Sequence, residues 1–203
     1  MRYSVEEMDK VDVFRKIAEI PYSELVPFIL RYLKNVTFVT FIYWALCLIS
    51  LIIAAFIRFQ MKTGLDTLLH SLFGLIIFPV LIIPVHELLH IIPYYLTGAR
   101  NIRIGMDLKQ YFFYVTAHRY VAGPVQFIFV ALLPFLLISA ILISLIYQVP
   151  EPWKWSLSSF LFVHTTMCAG DAALVNFYFV NRKRKIFTWD DADKKVAYFY
   201  EKI

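Results

Sequence analysis

Charge is what this sequence has least of. Asp, Glu, Lys and Arg make up 17% of the 203 residues. Four stretches hold almost none of them: 36–57, 67–85, 120–150 and 155–180, the last interrupted only by Asp171. With 60% hydrophobic residues and a mean hydropathy of +0.65, the chain is not an ordinary soluble domain, whose apolar share is nearer half. Each run is close to or above the roughly 20 residues that cross a hydrocarbon core of about 30 Å. Cysteine is scarce as well. Cys47 and Cys168 both fall inside charge-poor runs and read as packed thiols, which excludes a disulfide framework. There is no internal repeat, which argues against an inverted-repeat transporter. There is no low-complexity stretch and no nucleic-acid module. The first apolar run starts 35 residues in, after a charged stretch, too long and too late for the core of a cleaved signal peptide.

The expected fold class is therefore an all-α polytopic membrane protein with four transmembrane helices. It forms a single integral-membrane domain over 1–203: a cytosolic amphipathic segment at 1–35, a four-span core at 36–180 and a basic cytosolic tail at 181–203. Charge sets the orientation. Placing both termini in the cytoplasm puts seventeen of the twenty Lys and Arg residues inside and leaves only Arg58, Lys62 and Lys154 outside. The expectation is a multi-pass protein of the cell membrane. The basic run 182–185 directly follows a span, so it reads as an anchor to anionic lipid rather than a nucleic-acid site.

Local patterns add detail. Val5, Met8, Val11, Phe14, Ile17 and Ala18 recur at helical spacing, predicting an amphipathic helix over 4–20. Apolar residues at 102, 104, 106 and 108 alternate, and 111–116 is aromatic and β-branched. These predict a short β-hairpin between the second and third spans, turning at Leu108-Lys109-Gln110, with an edge able to bind an extended peptide. Thr188 followed by Asp191 resembles a helix start, so the tail reads as a short helix.

Inside the apolar second run lies His86-Glu87-Leu88-Leu89-His90, an HExxH motif that a chain of this composition shows by chance roughly once in 200 sequences. Histidines four apart on a helix are one turn apart on one face, so both can reach one metal ion. Glu87 then stands beside the ion, placed to take a proton from water. Pro79 and Pro84 precede the motif and predict kinks and a widened, hydrated pocket. A catalytic zinc takes a third protein ligand. The candidates are Asp171, His70, His118, His164 and Glu151. Asp171 is the only acidic residue deep within a span, follows Gly170, which would allow close helix approach, and lies at matching depth. His118 and His164 are possible auxiliary groups. Asn176 either holds a substrate carbonyl or satisfies a helix contact.

HExxH in the second span, a basic strand-rich connection, Gly123-Pro124 opening the third span and Gly170-Asp171 in the fourth together resemble the putative zincin membrane peptidase family, a bacterial domain-of-unknown-function family. In plan they are similar to site-2 proteases. The resemblance covers about residues 20–185. It implies one zinc ion on His86, His90 and Asp171, with Glu87 as general base. Site-2 proteases set their third ligand in an Asp-Gly context, whereas here the order is Gly-Asp. The expected function is a membrane-embedded zinc metalloprotease acting on a peptide or membrane-protein substrate, with membrane lipid as its surroundings and no nucleic-acid partner. Two other readings use the same residues: a non-catalytic membrane scaffold or sensor with a structural metal site, and a metal or small-solute carrier.

Overall fold

The computed structural model describes residues 3–8, 10, 12–61, 64–107 and 112–203. In chain order the elements are α1 (Val5–Met8), β1 (Phe14–Pro21), α2 (Leu25–Lys34), α3 (Phe38–Gln60), α4 (Leu65–Leu72), a π-helical stretch (Phe73–Ile77), α5 (Phe78–Leu89), α6 (Ile91–Thr97), β2 (Ile102–Asp107), β3 (Phe112–Ala117), α7 (Pro124–Gln148), α8 (Glu151–Met167), α9 (Ala169–Val180), β4 (Lys185–Asp191) and β5 (Val196–Lys202).

Helix dominates. Phe38–Gln60, Leu65–Thr97 and Pro124–Gln148 are each long and apolar enough to cross a membrane. α8 and α9 pass that test only as a pair, bent by 44°, so there are three candidate spans, or four with the bent pair taken as one. The bend has a local cause. Thr165 and Thr166 donate their hydroxyls back to the carbonyls of Leu161 and Val163, at 2.7 Å each, and such back-bonding bends helices. The helix breaks at Cys168.

α8 is the middle of the bundle. Ser156, Ser158 and Ser159 are fully enclosed, small enough for neighbouring backbones to come close. The nearest approach is at Gly74, in the π-helical stretch, where an added Cβ would run into Ser159 Oγ and the Ser156 carbonyl. Pro79 follows directly, and the stretch of wider turns ends just before it. At Gly170, by contrast, a Cβ would meet only Ile29 Cδ1 at 3.7 Å, an ordinary contact. The close helix approach expected at Gly170 is found at Gly74.

The ends of the chain differ from the all-helical expectation. Instead of a helix over 4–20 there is one turn, α1, and then a strand. The tail is a pair of strands instead of a helix. Together they form an antiparallel sheet in the order β1-β5-β4, with β5 in the centre. Its apolar face packs on α9 and α2 through Ile186, Phe199, Phe177, Tyr178 and Phe28. β2 and β3 pair antiparallel from Ile102↔Ala117 to Asp107↔Phe112. The expected turn at 108–110 lies outside the described residues. Backbone hydrogen bonds from Arg119 to Asp190 and between Ala122 and Thr188 tie the end of this hairpin to β4.

Candidate metal centre

The HExxH residues occupy the last turn of α5. Across from them, the break at Cys168 makes Asp171 part of the first turn of α9, where the unpaired N–H groups of a helix start favour a carboxylate. His86 Nε2 is 3.1 Å from Asp171 Oδ2, and His90 Nε2 is 3.7 Å from Asp171 Oδ1. The three side chains are only 13%, 11% and 15% exposed. Ligand atoms of His86, Glu87 and His90 lie within 4.8 Å of one another. Tetrahedral ligands about 2.0–2.1 Å from one ion stand roughly 3.3 Å apart. Each imidazole faces a different oxygen of the carboxylate, and two imidazole nitrogens with a carboxylate are a donor set that fits zinc.

Orientation of the rings is built in. His90 Nδ1 donates to the Val130 carbonyl at 2.9 Å, which leaves the lone pair on Nε2, the nitrogen facing Asp171. That carbonyl is free because of Pro134, four residues later in α7, which has no N–H to offer it. His86 turns Nδ1 toward His164 Nε2 at 3.4 Å. His164 is itself fully buried, close to parallel with the Phe135 ring, and its Nε2 is 3.7 Å from Cys168 Sγ.

Glu87 faces the same cavity of about 200 Å³, walled by Ile29, Tyr94, Tyr114, Phe127 and Leu174 as well as the histidines. Its carboxylate accepts the Val115 backbone N–H, so the edge of β3 remote from β2 runs against α5. A second cavity of about 390 Å³ reaches Asp171 from between α3 and α7, with Phe38, Ile42, Leu46, Phe135 and Val175 on its walls.

The other expected groups fall elsewhere. His118 accepts the Ala192 N–H on Nδ1 at 3.1 Å and puts Nε2 3.5 Å from Asp193. The carboxylates there are held by Lys194, Arg103 and backbone N–H groups. Asn176 bonds Thr37 and donates to the carbonyls of Tyr32 and Asn35, so it pins the α2–α3 corner. His70 pairs with Ser156 and Trp153 at the opposite end of the bundle. Of the auxiliary candidates, only His164 meets the cluster. Val130 went unnoticed in the sequence, although Pro134 four residues on was its signal.

No curated protein and no solved structure matches the chain. A family model described as putative zincin peptidase matches residues 79–187, a segment that carries all of His86, Glu87, His90, His164 and Asp171 and spans just over half of the chain. That description implies zinc and peptide hydrolysis at the level of the family. On this match the chain belongs to the putative zincin peptidase family.

Proposed function

We propose that this protein is a membrane-embedded zinc metallopeptidase in which His86, His90 and Asp171 hold the ion and Glu87 is the general base. The observation that carries the reading is the convergence of α5 and α9: two imidazole nitrogens meet one carboxylate within 3.7 Å beside a glutamate. Bound zinc supplies Lewis acidity, polarising a carbonyl and making water a nucleophile near neutral pH. Glu87 takes the proton of the attacking water on its carboxylate and delivers it to the leaving amine nitrogen as the C–N bond breaks. The Val115 N–H keeps that carboxylate aimed into the cavity. His164 acts through His86, and the Val130 carbonyl through His90, fixing each ring before substrate arrives.

The same reading covers the surroundings. β1 and β5 pair directly although the helical bundle separates them, so the chain crosses the membrane an even number of times between them. That favours four spans with α8–α9 as the fourth, and both ends on one side. The charge bias puts that side in the cytoplasm.

Zinc content and peptide turnover of the purified wild type, Glu87→Gln and Asp171→Ala test the assignment. Glu87→Gln should keep stoichiometric zinc and lose about 10²–10⁴ in turnover, and Asp171→Ala should lose both. Wild-type turnover in Glu87→Gln would remove Glu87 as the base, and stoichiometric zinc without turnover in the wild type would favour a scaffold or carrier.

A further inference from the structure

Next to the catalytic cavity is a smaller one, about 130 Å³, that the mechanism does not use. The two share Tyr94, Tyr114, Val115, Phe127 and Leu174 as walls, so a substrate lying against Glu87 borders both. At the far side of the smaller cavity is Asp190, the next-to-last residue of β4. Among the described residues, no Lys, Arg or His side chain lies within 4 Å of its carboxyl. The Tyr22 and Thr116 hydroxyls are turned toward it, and both are more than nine-tenths buried. Neither completes a hydrogen bond of good geometry. An acid without a counter-ion, which these two hydroxyls satisfy only in part, is costly in a cavity unless a ligand completes its partners.

We infer that this cavity is a specificity pocket for a basic side chain, lysine or arginine, of the peptide substrate. The inference rests on the peptidase reading for its purpose, though the pocket binds without hydrolysis. The chemistry matches at both ends of such a side chain. Tyr22, Tyr94 and Tyr114 wall the pocket with apolar rings that suit a methylene stem and attract a cation. The Asp190 carboxylate supplies the opposite charge, and the hydroxyl oxygens of Tyr22 and Thr116 can accept N–H groups. A strand residue links the two sites: Val115 gives its N–H to Glu87, and its neighbour Thr116 faces Asp190. Consecutive residues of β3 thus contact the Glu87 carboxylate and the acid of the smaller cavity. Burial also holds the Asp190 carboxyl up, at about 6, and an entering cation would favour its ionised form.

The test is direct binding of two blocked pentapeptides, Ala-Ala-Lys-Ala-Ala and its norleucine counterpart, to the purified full-length protein by calorimetry. The lysine peptide should bind at least tenfold more tightly, which is about 1.4 kcal/mol. Asp190→Asn should abolish that preference, and Tyr22→Phe should weaken it with the carboxyl in place. Equal affinities, including no binding of either peptide, overturn the inference, as does a preference that survives Asp190→Asn. Turnover followed in the same samples separates the two readings: lysine-selective binding without hydrolysis leaves the pocket standing and removes the peptidase.

Discussion

Asp190 makes a prediction about stability whose size and sign follow from its setting. Burial raises its carboxyl from an ordinary 3.8 to about 6, with Thr116 and Tyr22 offsetting only part of the shift. Below about pH 3, the folded and unfolded chains both carry the proton, and the group is neutral in its effect. Between about pH 3 and 6 the unfolded chain gives up its proton first, so the folded state binds more protons and stability falls as pH rises. Above about pH 7 the loss is complete. Two pKa units at about 1.4 kcal/mol each amount to about 3 kcal/mol. Asp190→Asn keeps the shape and removes the ionisation. It should match the wild type near pH 3 and exceed it by up to about 3 kcal/mol at pH 8, a gain of roughly 6–12 °C in Tm for a chain of this size. Thermal unfolding in detergent across that pH range measures it. Parallel curves for the two proteins would refute the argument, because they would mean that the carboxyl is as well solvated in the folded chain as in the unfolded one. A residue that lowers stability at neutral pH is what a binding pocket, rather than a packing site, predicts.

Three further substitutions probe the scaffold. His164→Ala removes the partner of His86 and should weaken zinc binding 10- to 100-fold by competition with a chelator, whereas Cys168→Ser should leave it nearly unchanged. Gly74→Ala drives a methyl into α8 and should destabilise by at least about 1–3 kcal/mol, read as a fall in Tm. Asn176→Ala strips partners from Thr37 and the Tyr32 and Asn35 carbonyls and should cost about 1–3 kcal/mol, with zinc stoichiometry retained.

The parts of the site legible in the sequence were those that depend on spacing within one helix or on chemical rarity. HExxH is local, and Asp171 stands out because an acid in an apolar run is expensive. The hairpin strands announced themselves by alternation. β1 did not, and the reason is physical. Its register shifts between Lys16 and Ala18, and the extra residue of a bulge spaces Phe14, Ile17 and Ile20 by threes, which imitates a helix. The tail failed differently: Thr188 and Asp191 look like a helix cap, but β4 owes its conformation to β5 beside it and to Ala122, partners that composition alone does not reveal. The Asp190 pocket was invisible for the same reason, since its walls come from residues as far apart as Tyr22 and Phe199.

That span of sequence has a bearing on biogenesis. The strand nearest the start of the chain finds its partner only when the one near the end is made, a separation of about 180 residues that makes the pairing late and slow. The helices that carry His86, Glu87 and Asp171 need no such partner, yet the Asp190 pocket is walled only when β4 and β5 have joined β1. A site finished this way cannot select its ligand until both distant strands are in place.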